Sequence, residues 1–229
     1  MSAVLCAIEG DIATITLNRA EARNALNVAM CEGLLAAAGQ VRADTSVRLV
    51  ILRALGPIFC AGADLKERKG MSEDQVRARR LKAFAAYDAL ESIAMPTIAV
   101  VEGPAIGSGC EIAAACDFIV ATPAASFRTP EALWGTVGAT QRLPRILGKR
   151  LAKDMMFTGR TLGVEEARAT GLVARIVAVE ALADTLAEIG QTILAAPPAS
   201  LAAAKRNIDR GRELDPRGAL ATELLEIEG

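Results

Sequence analysis

Histidine is absent from the chain. That absence narrows the chemistry more than any residue present, because Ser-His-Asp and Cys-His machinery and nearly all zinc sites need an imidazole. Acid/base work falls to carboxylates, or to Lys, Tyr or Cys. Aromatics are scarce, with one Trp and one Tyr, and the formal net charge is only -1. Neither a stacking platform nor a basic field exists for nucleic acid or an anionic membrane surface. Long apolar runs are missing too. Stretches such as Thr97 to Val101 and Ile112 to Ala115 fall far short of a bilayer crossing, and the N-terminus lacks a charged segment leading into an apolar signal core. The expected compartment is cytoplasmic. Cys6, Cys31, Cys60, Cys110 and Cys116 are odd in number, form no C-x-x-C pair and stand among apolar neighbours, so they read as reduced core thiols rather than disulfides or metal ligands.

What is present is 229 residues with 52% apolar content, enough for one large domain or a domain with a smaller appendage. The pattern predicts a hairpin of Val4 to Ile8 and Ile12 to Leu17 around Glu9-Gly10-Asp11, a helix from Val28 to Val41, and a buried strand from Val47 to Arg53. A long amphipathic helix follows over Ser72 to Ile93, then buried strands at Thr97 to Val101 and Ile119 to Ala121. Strands separated by helices predict an α/β fold of parallel units with right-handed crossovers, in a sheet that is open, closed or spiral. After Pro130 the chain reads as mostly helical, with one short strand at Val173 to Val177. Pro197-Pro198 marks a boundary, giving a core over 1–196 and a helical region over 197–229, with helices at Ala199 to Arg210 and Arg217 to Leu225.

Three segments carry candidate chemistry. In Val101 to Asp117 a strand feeds a glycine-rich turn that opens an apolar helix, whose free amides suit an anion or a developing oxyanion, and Glu111 stands one turn inside among Ile, Ala and Cys. A second glycine-bearing turn, Phe59-Cys60-Ala61-Gly62-Ala63-Asp64-Leu65, also follows a strand. Glu131 lies in Thr129-Pro130-Glu131, a helix-start pattern. Taken singly each has a plain reading: a solvated or dipole-complementing glutamate at 111 and at 131, and a tight turn with Asp64 near a helix start. The arginine-rich run Arg77, Arg79, Arg80 and Lys82 reads as the wet face of its helix.

Together these segments resemble the enoyl-CoA hydratase/isomerase (crotonase) family across nearly the whole chain. Asn18-Arg19 through Arg23-Asn24-Ala25-Leu26 also match, as do Pro96 to Gly103, Thr140-Gln141-Arg142-Leu143-Pro144-Arg145, Thr158-Gly159-Arg160 and Gly171-Leu172-Val173. The resemblance implies a spiral of ββα repeats with a C-terminal helical appendage, and an enzyme that adds water across a 2-enoyl thioester. It implies Glu111 and Glu131 as catalytic residues, with Glu111 the base and Glu131 the proton donor to C2. It places the amides of Ala61 and Ser108 in an oxyanion hole, and Arg23, Ala61, Gly62, Ala63, Asp64, Lys66 and Gly107 at the substrate and CoA. No cofactor or metal is implied, CoA being part of the substrate, and the implied assembly is a homotrimer or dimer of trimers. An isomerase or another acyl-CoA lyase would use the same carboxyls, and a non-catalytic CoA-binding homologue would keep the pocket alone. Two departures stand out: only Thr136-Val137-Gly138-Ala139 separates Gly135 from Thr140, where the family carries a longer loop, and the chain stops at Gly229, where the family usually continues.

Overall fold

The computed structural model describes residues 2–228. Apolar alternation on either side of Gly10, whose φ of 57° admits the reversal, makes the antiparallel pair β1 (Val4–Glu9) and β2 (Ile12–Leu17). Asn27 then caps α1 (Val28–Ala43), its side-chain oxygen accepting from the Met30 amide at 2.9 Å. Met30, Cys31, Leu34, Ala37, Ala38 and Val41 recur at helical spacing and form the buried stripe of α1. β3 (Leu49–Ala54) joins β2 in parallel. The short α2 (Leu65–Arg68) and the long α3 (Glu73–Glu91) follow, the latter opened by a capping box between Ser72 and Gln75. β4 (Thr97–Val101) is buried at every residue and runs parallel to β3.

From β4 onward the chain alternates between two sheets. β5 (Pro104–Ile106) leaves the large sheet and leads into α4 (Ser108–Ala114); β6 (Phe118–Ala121) returns beside β4; and β7 (Ser126–Arg128) pairs in parallel with β5. Each turn of the chain delivers one strand to each sheet, which is the expected spiral. α5 (Arg142–Leu147) and α6 (Lys149–Thr158) precede β8 (Thr161–Gly163), which closes the small sheet antiparallel to β7. α7 (Val164–Ala169) and β9 (Arg175–Ile176) complete the large sheet, and α8 (Leu182–Ala195), α9 (Pro198–Gly211) and α10 (Pro216–Glu228) end the described chain. The strand orders are β1-β2-β3-β4-β6-β9 and β5-β7-β8.

The large sheet is covered on both faces, as continuous apolar strands require. Ala99 and Val101 of β4 join the main core with Leu52, Phe59 and Phe127, whereas Ile98 and Val100 face Leu182 and Ile189 of α8. Lys205 of α9 pairs with Asp117 at 2.9 Å, and Asp117 also accepts from the Thr97 amide at 2.7 Å, fastening α9 to the end of β4. Three differences from the sequence reading stand out. The strand expected over Val173 to Val177 contracts to Arg175–Ile176, and the short strands of the small sheet were not foreseen. Arg79 is not on a wet face: it is 5% exposed, donates from Nε to Glu67 at 2.9 Å and reaches the carbonyl of Leu26. Among the described residues no helix is long and apolar enough to cross a membrane.

Candidate active site

The motif Asn18 to Leu26 works as a bracket. Arg23 and Asn24 both turn left-handed, with φ of 55° and 51°, and Asn24 is fully buried. Its amide nitrogen donates to the carbonyls of Leu55 at 2.8 Å and Ile58 at 2.9 Å, while its oxygen accepts from the Arg19 amide at 2.8 Å. The chain entering the Phe59 to Leu65 turn is fixed this way. Asn24→Ala leaves all three partners without it and puts an alanine at positive φ, so we expect a loss of about 3 kcal/mol of stability, read as a lower urea midpoint at unchanged slope.

Cys60 lies against β5 as one bridge: its N–H donates to Pro104 O at 3.3 Å and its carbonyl accepts from the Ile106 amide at 2.9 Å. This pairing sets the two turns side by side, so that the chain after Cys60 and the chain after Ile106 enter one cleft. Glycine makes the approach possible. A Cβ on Gly109 would stand 2.5 Å from the Cys60 carbonyl oxygen, and one on Gly62, where φ is 90°, would stand 3.0 Å from that of Ile106.

The amides divide as the ladder geometry requires. Ala61 donates to the carbonyl of Arg23 at 3.0 Å, so its N–H is engaged inside the chain and is not free for a ligand, contrary to the expectation from the resemblance. Leu26 donates to Gly62 O at 2.7 Å and Asp64 donates to Leu26 O at 2.9 Å. In a parallel bridge of that register the groups of the central residue, Ala63, point the opposite way. The Ala63 amide has no acceptor among the described residues, and Ala63 lines the cleft. Ser108 is the first residue of α4, where an N–H has no partner within its helix, and it lines the same cleft.

Asp64, expected at the substrate, is instead committed to the fold. Its carboxylate accepts from the amides of Lys66 at 3.0 Å and Glu67 at 3.2 Å and pairs with Arg19 at 3.1 Å. Burial alone would raise its pKa, but those amides and the Arg19 guanidinium hold it below the usual range. A depressed carboxyl contributes stability above its ordinary pKa and loses it as pH falls through the lower folded value. Asp64→Asn should therefore cost stability at neutral pH, by about 2 kcal/mol, and progressively less under acid, which urea midpoints between pH 7 and pH 3 would show. Arg23 and Lys66 are exposed, with side chains that have no hydrogen-bond partner among the described residues.

A cleft of about 80 Å³ lies between α3, α4 and the segment Glu131 to Ala139, and its walls include Ala63, Tyr87, Ser108, Glu111, Glu131 and Gly138. Glu111 is 4% exposed and accepts from Arg142 Nη1 at 2.9 Å. Glu131 begins a 3-10 turn, Glu131–Trp134, and its Oε2 is covered yet has no partner among the described residues. Gly107 and Gly138 pack directly on its carboxyl; a Cβ on Gly107 would collide with Oε1 and one on Gly138 would stand 3.3 Å from it. Burial pushes both glutamates above the usual carboxyl range, Arg142 opposing the shift at Glu111, and the charge of Glu111 raising Glu131 further. Of the other acid/base candidates in the cleft walls or beside them, burial pushes Tyr87 up, drives Cys60 up to about 12 and raises Cys110 too. None of these can supply a base near neutrality. The carboxyl pair is the remaining machinery, and it stands beside two free backbone donors.

The family model described as enoyl-CoA hydratase/isomerase matches residues 7–224. The chain belongs to the enoyl-CoA hydratase/isomerase family. It is 41% identical to enoyl-CoA hydratase domain-containing protein 2, mitochondrial, of Bos taurus, over 96% of this chain and 78% of that protein. It is 37% identical to the short-chain-enoyl-CoA hydratase of Clostridium acetobutylicum, over 94% of this chain and 84% of that one. Among solved structures, the enoyl-CoA hydratase of Bacillus anthracis superposes with a TM-score of 0.94 at 35% identity, covering 99% of this chain and 90% of the other. The fold is therefore the crotonase spiral. In this family member the loop after Gly135 is short but still delivers Glu131 to the cleft: the Thr136 amide donates back to Glu131 O at 3.0 Å, and Arg80 of α3 donates to Val137 O at 2.5 Å.

Proposed function

We propose that the chain hydrates the 2,3 double bond of a 2-enoyl-CoA thioester, as an enoyl-CoA hydratase. The observation that carries this reading is the buried carboxyl of Glu111 and the half-buried one of Glu131, in unequal settings beside the amides of Ala63 and Ser108. In this reading the thioester oxygen accepts from those two amides, which draws electron density from C3 and stabilises the enolate-like charge as water adds, by about 3 kcal/mol per well-placed donor. Glu111, ionised beside Arg142, takes a proton from the water as its oxygen bonds to C3. Glu131, whose carboxyl burial and the nearby charge of Glu111 raise toward the protonated form, gives its proton to C2. Atoms balance as one water added. The family likeness supports the substrate class, and likeness to the short-chain-enoyl-CoA hydratase of Clostridium acetobutylicum supports a short acyl chain.

The exposed cations Arg23 and Lys66, flanking the Ala61 to Asp64 turn, suit the CoA phosphates. Ile208, Leu214, Leu220, Leu224 and Leu225, all exposed on or between α9 and α10, suit burial against another copy, as the homotrimer or dimer of trimers implied by the family likeness would provide.

The test follows the loss of conjugated enoyl-thioester absorbance when crotonyl-CoA is added. Loss of absorbance with formation of the 3-hydroxy product supports hydration. No turnover of crotonyl-CoA together with isomerisation of a 3-enoyl-CoA defeats it in favour of an isomerase, and tight CoA binding with neither reaction favours a non-catalytic binder.

A further inference from the structure

Arg142, the first residue of α5, lies behind Glu111. Nη1 reaches Glu111 Oε2 at 2.9 Å, Nε reaches Glu91 Oε2 at 3.0 Å, and the guanidinium carbon stands 5.9 Å from the centre of the Tyr87 ring. Side-chain exposure is 15% for Arg142 and 6% for Glu111, against 49% for Glu91. Arg142 is not in the wall of the cleft that holds Ala63, Ser108 and Glu131. It lines an adjoining opening of about 520 Å³ that shares Phe84 and Glu111 with the cleft. It is thus the cation bonded to Glu111 among the described residues.

We infer that Arg142 is a positioning residue for this site: it holds Glu111 ionised and fixed in orientation from behind, and Glu91, by sharing the guanidinium, sets how strongly it does so. The arrangement resolves a physical conflict. A carboxylate buried without a cation protonates, and a protonated Glu111 cannot take a proton from water. A guanidinium bonded to Glu111 and not to Glu131 stabilises one of the two carboxylates. Its planar fork and stacking on Tyr87 fix the direction from which Glu111 is held.

The charges that face Glu111 come from several elements. α3 presents Tyr87, Asp88 and Glu91, α5 presents Arg142 and Arg145, and the 3-10 turn presents Glu131. Asp209 and Arg212, at the end of α9, and the adjoining Glu213 line the far side of the opening. Along the cleft, Arg68, Arg79 and Arg80 stand on α2 and α3, with Arg79 committed to Glu67. Burial raises the Glu111 carboxyl most, Arg142 lowers it, and Glu91 raises it again. Removing Arg142 and removing the charge of Glu91 must then act in opposite senses.

This inference rests on the hydration reading for the role of Glu111, and two readouts keep the two apart. The first is the pH profile of kcat/KM for a 2-enoyl-CoA. Arg142→Met should move the acid limb upward by about one pH unit, a tenfold change in protonation equilibrium, and lower kcat by a factor on the order of 10², with KM little changed. Arg142→Lys should recover part of both effects, and Glu91→Gln should move the limb downward. The second is the ¹³C NMR titration of the Glu111 carboxyl in the same variants, assigned with Glu111→Gln and independent of turnover. Opposite displacements in Arg142→Met and Glu91→Gln establish the inference. The same carboxyl displacements without any enoyl-CoA turnover by wild type would refute hydration and leave the role of Arg142 standing. Unmoved limbs and titrations, or shifts of the same sign in both variants, would overturn it, and Glu91→Gln with Arg142→Lys decide the matter even if Arg142→Met does not fold.

Discussion

Replacing Glu111 or Glu131 with Gln should lower kcat by a factor on the order of 10²–10⁴ while leaving the affinity for a saturated acyl-CoA unchanged, because each carboxyl acts on a proton in transit rather than on the bound thioester. The two variants should part company in stability. Glu131 packs half-buried against Gly107 and Gly138, with an Oε2 that has no partner among the described residues and a raised pKa. A carboxyl whose folded pKa lies above its unfolded value contributes fully below the ordinary glutamate range and loses that contribution as pH rises through the raised value. At neutral pH wild type carries this cost and Glu131→Gln does not, so the inactive variant should be the more stable by about 1 kcal/mol. The difference should shrink toward pH 4. Glu111→Gln should show no such gain, because it leaves the Arg142 guanidinium facing a neutral amide. Steady-state rates, calorimetric binding of an acyl-CoA and urea midpoints at two pH values check the set.

Gly107→Ala should be the most damaging change that removes no functional group. Gly107 has φ 54° and ψ -110°, a conformation that side chains rarely adopt, and its missing Cβ is the space that the Glu131 carboxyl fills. Its N–H donates to Arg128 O at 2.8 Å and its carbonyl accepts from the Glu111 amide at 3.2 Å, so the residue is tied to β7 and to α4 at once. Relief of the clash must move Glu131, the Ser108 amide or both. A displacement of about 1 Å costs a rate factor on the order of 10², and the backbone strain adds about 1–3 kcal/mol of destabilisation. Gly39→Ala, on the exposed side of α1 with open space where its Cβ would go, is the control. It should be active and slightly more stable, since alanine is the better helix former.

The long elements were legible because their periodicity extends over enough residues to be distinctive: the hairpin, α1, α3 and β4 appear where alternation and helical spacing predict them. β5, β7 and β8 were not, since three residues cannot display an alternation, and what makes them strands is pairing with each other across the chain. At the site, the two glutamates were visible as acids set in apolar or helix-start contexts. Which amide of the glycine turn faces the cleft was not visible. That depends on Leu26 bridging to Ala63, a contact made by residues far apart in sequence, and it assigns the free donor to Ala63 rather than Ala61. Asp64 shows the same limit in reverse, since its plain reading as a residue at a helix start is the one the hydrogen bonds bear out. Arg79 looked like a surface cation because its partners, Glu67 and the Leu26 carbonyl, belong to other segments. Arg142 lay inside a motif that carried the family resemblance, but nothing local indicates that it meets Glu111 from 31 residues away.

Hydration at this site requires that a bound thioester, one water and two acids meet at the amides of Ala63 and Ser108. The most direct measurement is a crystal structure of Glu111→Gln soaked with a 2-enoyl-CoA. The thioester oxygen is expected at about 2.7–3.1 Å from both amide nitrogens, with the residue 111 and Glu131 side chains on one face of the double bond and a single water between them. A thioester oxygen turned away from either amide, or Glu131 rotated out of the cleft when the ligand is bound, would contradict it.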